Sequence, residues 1–203
     1  MSLTASTMME LGTEIPSFAL PDVRTGKMVR VPEDIDQQDA PGPILVMFIC
    51  RHCPYVIHIK SELARIGRDY AGRVAIIAIS SNDAGYVADD SPEKLKEMAE
   101  DLGLNFPLCY DETQDVATSF TAACTPDIFL FDKNHRLAYR GQIDSSRPGN
   151  NFPVDGRDLR AAMDALLNGA SPTADQRPAT GCNIKWKPGK QPAYYYSALV
   201  NKK

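Results

Sequence analysis

The sequence predicts an α/β fold with a mixed central sheet and helices on both faces. Two observations lead to this prediction. Short apolar runs rich in β-branched residues alternate with segments whose apolar residues recur every three or four positions. Two strand-like runs then follow each other directly, which adds an antiparallel hairpin to a parallel core. With 203 residues, 43% of them hydrophobic, the chain is long enough for one well-buried core.

The first half of the chain contains four predicted strands. They lie at residues 17–20, 27–31, 43–50 and 73–80. The first two flank the turn Arg24-Thr25-Gly26 and predict a hairpin. The other two are continuous apolar runs, which are typical of strands covered on both faces. We therefore expect the run at 43–50 to be a central strand.

Two helices are predicted beside these strands. The first begins at Pro54, where a missing backbone N–H costs nothing, and ends at Gly72. Its inward face contains Val56, Ile59, Leu63, Ile66 and Tyr70. The second is capped by Ser91 and ends at Gly103. The remaining elements are a strand at 106–110, a short helix at 113–120, a hairpin of 127–132 with 137–143, and a helix at 157–167.

The composition changes after Gly169. Residues 170–203 contain four prolines, Trp186 and three consecutive tyrosines from Tyr194, and they carry a net charge of +5 against −9 for residues 1–169. This predicts one domain over 1–169, followed by a basic, aromatic arm over 170–203. The opposite charges favour packing of the arm on its own domain or on a neighbouring subunit, and the second arrangement would be a homodimer.

The overall charge and the apolar runs argue against two classes of partner. A net charge of −4 and a pI near 5.4 give no basic surface for nucleic acid or anionic membranes. The longest apolar runs are too short to span a bilayer, and Met1 to Glu10 lack the basic and apolar regions of a signal peptide. We therefore expect a cytoplasmic protein that binds neither nucleic acid nor membranes.

The stretch "ICRHCPYVIH", residues 49–58, contains two cysteines three positions apart. The pair falls where the central strand should end and the first long helix begin, so we expect Cys50 at a helix N-terminus. The helix dipole, its unpaired N–H groups and the basic neighbours Arg51 and His52 would then favour the Cys50 thiolate. Such a thiolate attacks disulfides, and Cys53 could close an internal disulfide that releases the product.

Two other interpretations of the pair stay open. A structural zinc site usually needs a second pair of ligands, but the chain has no second C-x-x-C and only three histidines. His58, five residues after Cys53, does not have a standard ligand spacing. The pair could instead be buried and chemically silent. No metal or other cofactor is predicted, and an odd number of five cysteines is typical of individual thiols.

Four motifs, in order, resemble one family. They are "GTEIPSFALPD", "FICRHCPYV", "CTPDIFLFD" and "GQIDSSRPGN". Over about residues 11–168 the chain resembles the peroxiredoxin-like branch of the thioredoxin-fold superfamily, which is related to the alkyl hydroperoxide reductase and thiol-specific antioxidant proteins. The resemblance implies a thioredoxin fold with an N-terminal extension. It also implies that Thr125-Pro126 is a cis-proline pair that faces the C-x-x-C and offers main-chain hydrogen bonds to a substrate.

The chain departs from both parent patterns. Peroxiredoxins resemble T-x-x-C, with a threonine hydroxyl that helps to bind the peroxide. Here Cys50 stands in place of the threonine, and Cys53 stands at the peroxidatic position. Thioredoxins usually have Trp before the first cysteine and Gly-Pro between the two, where this chain has Ile49 and Arg51-His52. Thiol-disulfide exchange therefore ranks above peroxide reduction.

Three hypotheses of function follow. The first is a thiol-disulfide oxidoreductase in which Cys50 attacks and Cys53 resolves, with protein or low-molecular-weight disulfides and thiols as substrates. The second is a thiol peroxidase with Cys53 peroxidatic and Cys50 resolving, so that peroxides become substrates. The third is a redox-inert binding module. Two further cysteines are candidate redox residues: Cys124, two positions before Pro126, and Cys182 in the arm.

Overall fold

The computed structural model describes residues 3–37 and 42–195. The strands in these residues are β1 (Leu3–Ala5), β2 (Phe18–Pro21), β3 (Met28–Val31), β4 (Ile44–Phe48), β5 (Ala75–Ser80), β6 (Leu108–Tyr110), β7 (Cys124–Thr125), β8 (Asp127–Phe131), β9 (Leu137–Arg140) and β10 (Thr180–Asn183). The helices are α1 (Glu33–Asp36), α2 (Pro54–Asp69), α3 (Pro92–Asp101), α4 (Asp115–Ser119) and α5 (Arg157–Leu167), with a short 3-10 helix at Ala88–Asp90. No helix in the described residues is both long and apolar enough to cross a membrane.

The central sheet has five strands in the order β6-β5-β4-β8-β9. Strand β4 pairs in parallel with β5, and β5 pairs in parallel with β6. Strands β8 and β9 extend the other side of the sheet as antiparallel neighbours. All five residues of β4 are buried, as expected for a strand covered on both faces. The predicted mixed sheet and the central place of this strand are confirmed.

Two apolar cores lie on the two faces of this sheet. Leu45 and Met47 of β4 pack in one core with the inward faces of α2, α3 and α5. Ile44, Val46 and Phe48 pack in the other core with α1, α4 and the hairpin β2–β3. Consecutive residues of a strand point to opposite faces, so the alternation places helices on both sides of β4. This agrees with the layered α/β architecture that the sequence predicts.

Several elements are shorter than predicted, among them the strands expected at 43–50, 73–80 and 106–110, which span Ile44–Phe48, Ala75–Ser80 and Leu108–Tyr110. The helix expected at 113–120 spans Asp115–Ser119, and the strand expected at 137–143 ends at Arg140. The strand ends there because Gly141 has a φ of +148°, and a Cβ at this position would lie 2.3 Å from the carbonyl oxygen of Arg177. The chain therefore leaves the sheet at Gly141.

A second sheet joins the N-terminal strand to the arm. Its order is β1-β10-β7, and both pairings are antiparallel. Further along the arm, Trp186 packs edge-to-face on Tyr194 with ring centroids 6.4 Å apart, and the Tyr194 hydroxyl donates to the carbonyls of Ala117 and Ala122. Tyr196 and the residues after it lie outside the described chain. The division of the chain at Gly169 stays a prediction.

Candidate active site

The two cysteines of the C-x-x-C lie in the connection between β4 and α2. Helix α2 begins at Pro54, and Cys53 is its N-cap, with extended backbone angles of φ −72° and ψ 123°. Cys50 lies three residues earlier, in the buried segment directly after β4. The expectation that Cys50 lies at the helix N-terminus is therefore wrong. Because Pro54 is the first residue of the helix, its N-terminal end faces Cys53.

Thr125 of β7 contacts both thiols. Its hydroxyl oxygen lies 3.2 Å from Cys50 Sγ, and its carbonyl accepts a hydrogen bond from Cys53 Sγ at 3.1 Å. The peptide bond between Thr125 and Pro126 is cis. The structure thus brings four of the sequence-predicted site residues together around one backbone position.

A third thiol lies beside the pair. Strand β10 places Cys182 directly opposite Thr125, and Cys182 belongs to the same buried cluster as Cys50 and Cys53. The thiols of Cys182 and Cys50 both act on Cys53 and lower its pKa, and Cys182 has the larger effect. Cys53 is therefore the central sulfur of a three-sulfur cluster, which consists of Cys50, Cys53 and Cys182.

Hydrogen bonds from Cys182 and Cys50 lower the pKa of Cys53 well below that of a free thiol. Burial opposes this effect, but the position of Cys53 at the N-terminus of α2, near the backbone N–H of Val56, adds to it. The Thr125 carbonyl can only accept a hydrogen bond, so it favours the protonated form of Cys53. The effects of Cys182 and Cys50 on the pKa of Cys53 outweigh it. The geometry therefore favours Cys53 as the thiolate of the cluster.

Burial raises the pKa of Cys50 well above that of a free thiol, and the hydrogen bond to Cys53 and the charge of Asp90 raise it further. The contact with the Thr125 hydroxyl acts in the opposite direction but does not compensate. The geometry therefore does not favour an activated Cys50, whose role as nucleophile stays a prediction from the sequence. The physical reason is that Cys50 lies near a buried carboxylate rather than at the positive end of α2.

The two residues between the cysteines are paired with carboxylates. Arg51 Nη1 lies 3.1 Å from Asp89 Oδ1, and His52 Nδ1 lies 2.6 Å from Asp90 Oδ2. Among the described contacts, neither side chain donates a hydrogen bond to a sulfur. Arg51 and His52 therefore anchor the loop to acidic neighbours, and their expected effect on the Cys50 thiolate stays a prediction.

Asp90 is a site residue that the sequence analysis missed. Its carboxylate is fully buried and accepts four hydrogen bonds. Two come from the backbone N–H groups of Arg51 and His52, at 2.8 and 3.3 Å, and two from the side chains of His52 and Asn82, at 2.6 and 2.7 Å. Burial alone would raise the pKa of Asp90, but the bonds from His52 and Asn82 outweigh it and lower the pKa. Asp90 thus fixes the C-x-x-C loop, and its place in an acidic pair before the cap of α3 is a weak clue in the sequence.

Ligand atoms of Cys50, His52 and Asp90 lie within 4.8 Å of one another, which is close enough to share a metal ion. This is the one such group within residues 3–37 and 42–195. The oxygens of Asp90 already accept four hydrogen bonds, so a metal ion would have to displace the one from His52. The donor set fits a saturated hydrogen-bond network better than a metal site.

The two remaining cysteines lie apart from the three-sulfur cluster. Cys124 precedes Thr125 on β7, but its thiol points to the carbonyl of Pro126 at 3.5 Å, and burial raises its pKa. Cys109 of β6 belongs to the core on the opposite face of the central sheet, and burial raises its pKa to about 12. Both therefore have the surroundings of small apolar core residues.

The three-sulfur cluster is almost inaccessible. Cys50 and Cys53 have no exposed surface, and Cys182 is 4% exposed. Cys53 contacts β7 through the carbonyl of Thr125 and β10 through Cys182. A substrate therefore reaches Cys53 only after one of the covering segments moves.

The five-stranded mixed sheet, with a dithiol before α2 and β7 beside it, defines a thiol redox protein of the thioredoxin fold. The fold is similar to that of Peroxidoxin BcpB from Mycobacterium tuberculosis, at 19% identity and a TM-score of 0.57 over 79% of this chain and 97% of that chain. It is also similar to the thioredoxin domain of thiol-disulfide oxidoreductase BVU-2223 from Bacteroides vulgatus, at 16% identity and a TM-score of 0.56 over 76% and 99%.

The sequence pattern of the AhpC/TSA family matches residues 11–140, so the chain belongs to the AhpC/TSA family. A more similar structure is that of an uncharacterized conserved protein from Geobacillus kaustophilus, at 48% identity and a TM-score of 0.89 over 93% of this chain and 98% of that chain. None of the curated proteins compared matches the chain. The family resemblance is confirmed, and family and fold together support a thiol redox function with thiol or peroxide substrates.

Proposed function

We propose that the protein is a thiol-disulfide oxidoreductase in which Cys53 attacks the substrate and Cys50 resolves the mixed disulfide. These roles are the reverse of those expected from the sequence. The observation that supports them is the position of Cys53 at the N-cap of α2, where the Cys182 thiol, the Cys50 thiol and the Val56 N–H favour its thiolate. Cys50, by contrast, is buried near Asp90, and its pKa is raised.

The proposed exchange has two steps. In the first, the Cys53 thiolate attacks one sulfur of a disulfide R–S–S–R′, a Cys53–S–S–R bond forms, and R′S⁻ leaves. In the second, Cys50 gives its proton to a released thiolate and attacks the Cys53 sulfur, so that RS⁻ leaves and a Cys50–Cys53 disulfide remains. The substrate receives two electrons from the dithiol, and an external dithiol or two external monothiols return them for the next cycle.

The proposed substrates are protein or low-molecular-weight disulfides and thiols, which agrees with the thiol chemistry of the family. The buried state of Cys53 implies that opening of the site precedes each attack. The cytoplasmic location, the homodimer and the lack of nucleic-acid or membrane partners stay predictions from the sequence.

Membership of the AhpC/TSA family supports a second candidate, in which the same sulfur reduces a peroxide. Attack of Cys53 on a peroxide would give a sulfenic acid and water or an alcohol, and Cys50 would condense with it to the same disulfide and water. Cys50, however, replaces the threonine of the family pattern. The Thr125 hydroxyl contacts Cys50 rather than Cys53, so it does not take the place of that threonine. Exchange therefore ranks first.

The proposal can be tested by trapping a mixed disulfide on Cys53 when it is the one thiol left in the three-sulfur cluster. A variant with Cys50→Ser and Cys182→Ser keeps Cys53 as the one thiol of the cluster, so glutathione disulfide should leave a stable adduct on Cys53. The Cys53→Ser variant should form no adduct on Cys50, because the pKa of Cys50 is raised. Peptide mass spectrometry locates the adduct, and rapid labelling of Cys50 in the Cys53→Ser variant would contradict the assignment.

Hydrogen peroxide in substoichiometric amount separates the two candidates in the same variants. Exchange predicts slow oxidation of Cys53 by peroxide and fast formation of the mixed disulfide. A Cys50→Ala version serves as the matched control, because serine would restore a hydroxyl where the family has threonine. A sulfenic acid on Cys53 that forms faster than the mixed disulfide in the alanine version would place the peroxidase first.

A further inference from the structure

The arm occupies the edge of β7 beside the dithiol. An extended peptide could pair with this edge as an added strand and bring its own cysteine to Cys53. In the structure, β10 takes this place: it pairs antiparallel with β7, with Cys182 opposite Thr125 and Asn183 opposite Cys124. Strand β1 covers the other edge of β10. The arm therefore lies where a bound peptide substrate would lie.

Gly181 allows β10 to approach β7 this closely. A Cβ at this position would lie 2.0 Å from the carbonyl oxygen of Thr125 and 3.2 Å from Cδ of Pro126. The first distance is shorter than any side chain tolerates. The close approach places the next residue, Cys182, opposite Thr125 and in the same buried cluster as Cys53.

We propose that Cys182 is an internal exchange partner of Cys53, so that Cys53 forms a disulfide with either Cys50 or Cys182. This inference rests on the proposed function, because it needs Cys53 as the attacking thiolate. The other two cysteines do not compete for this role. Cys124 points to the carbonyl of Pro126, and Cys109 lies across the central sheet.

The step starts from the mixed disulfide Cys53–S–S–R. Cys182 gives up its proton and attacks the Cys53 sulfur, the bond to R breaks, and RS⁻ leaves and takes up the proton. No further oxidant is needed, because the substrate disulfide accepts both electrons. The product joins β10 covalently to the N-terminus of α2. Attack of Cys50 on the Cys53 sulfur then releases Cys182 as a thiol and leaves the Cys50–Cys53 disulfide.

The Cys50→Ser variant isolates this step. The reduced protein is exposed to glutathione disulfide, quenched with acid, alkylated and digested, and its peptides are identified by mass spectrometry. We expect a cross-linked Cys53–Cys182 peptide pair, and about tenfold less retained glutathione than in the variant with both Cys50→Ser and Cys182→Ser. Cys50→Ser combined with Cys109→Ser is the matched control. It removes a thiol from the opposite core and should behave as Cys50→Ser alone.

The outcomes distinguish this inference from the proposed function. Equal glutathione retained on Cys53 in the single and double variants would overturn the role of Cys182 and leave the proposed function standing. No adduct or disulfide on Cys53 in either variant would overturn both. The unsubstituted protein provides a second measurement that no misfolded variant can affect. Partial oxidation by glutathione disulfide, quenched with acid before Cys50 can displace Cys182, should yield both cross-linked pairs, and the Cys50–Cys53 pair alone at the earliest times would overturn the inference.

Discussion

Substitution of Gly181 by alanine should open the site. The added Cβ would meet the carbonyl oxygen of Thr125 at 2.0 Å and its carbonyl carbon at 2.7 Å. Real Cβ atoms essentially never lie closer than 3.0 Å to such atoms, so β10 and β7 must separate by about 1 Å. Both contacted atoms belong to the backbone of β7, so no side-chain rotation relieves the clash.

A separation of this size breaks the pairing of the two strands. Backbone hydrogen bonds of about 2.9 Å would lengthen to about 3.9 Å, which is beyond the ~3.2 Å limit of a normal N–H···O bond. Two residue pairs connect β7 to β10. At about 1 kcal/mol for each lost hydrogen bond, with a further contribution from residual strain, we expect Gly181→Ala to lower the free energy of unfolding by about 2–4 kcal/mol.

The assay is alkylation of Cys53 by iodoacetamide, followed by peptide mass spectrometry, together with urea unfolding. Cys53 has no exposed surface, so its alkylation requires local opening. A loss of about 2 kcal/mol at the β7–β10 pairing should raise the alkylation rate about 30-fold. Gly85→Ala is the matched control, because its Cβ would lie 3.2 Å from the end of the movable Asp83 side chain. Equal alkylation rates and stabilities for Gly181→Ala and the unsubstituted protein would refute the conclusion that β10 covers the thiolate.

Three further predictions concern polar groups that are buried or partly buried. Burial raises the pKa of Asp127 to about 6, so the folded protein favours the protonated carboxyl. The stability that this preference contributes is fully present below about pH 4, and it is lost as the pH rises through 6. Asp127→Asn should therefore stabilise the protein by about 3 kcal/mol at pH 8 and by much less at pH 4, as urea unfolding at both pH values can check. Asp90→Asn should lower the free energy of unfolding by about 3 kcal/mol, because an amide cannot accept all four hydrogen bonds, and unchanged stability would contradict its anchoring role. Tyr194→Phe should cost about 1 kcal/mol in thermal unfolding experiments, because its hydroxyl donates to two backbone carbonyls near α4.

The long helices and strands could be predicted from the sequence because the faces that they bury determine the spacing of their apolar residues. Strands β4 and β5 are continuous apolar runs, and α2 repeats its apolar residues every three or four positions. Strands β1, β7 and β10 could not be predicted. They have two to four residues each, and they pair with partners far away in the chain, so no local pattern indicates them.

The location of the dithiol could be predicted, but the structure favours roles for its two sulfurs that are opposite to those predicted. The sequence already indicated Pro54 as the first helical residue, which makes Cys53 rather than Cys50 the N-cap. The contacts of Asp90 and Cys182 could not be predicted in the same way. Both residues reach the dithiol through tertiary contacts between distant parts of the chain, and hydrogen bonds of this kind leave no periodic pattern in the sequence.

The late position of β10 in the chain has a consequence during protein synthesis. Cys53 is made about 130 residues before Cys182, and at about 5–20 residues per second a ribosome needs roughly 6–26 s for that span. During this interval β4 and α2 can form, but the strand that covers their dithiol does not yet exist. A nascent chain therefore exposes Cys53 to cellular oxidants and thiols for seconds, and this exposure ends when the last strand emerges.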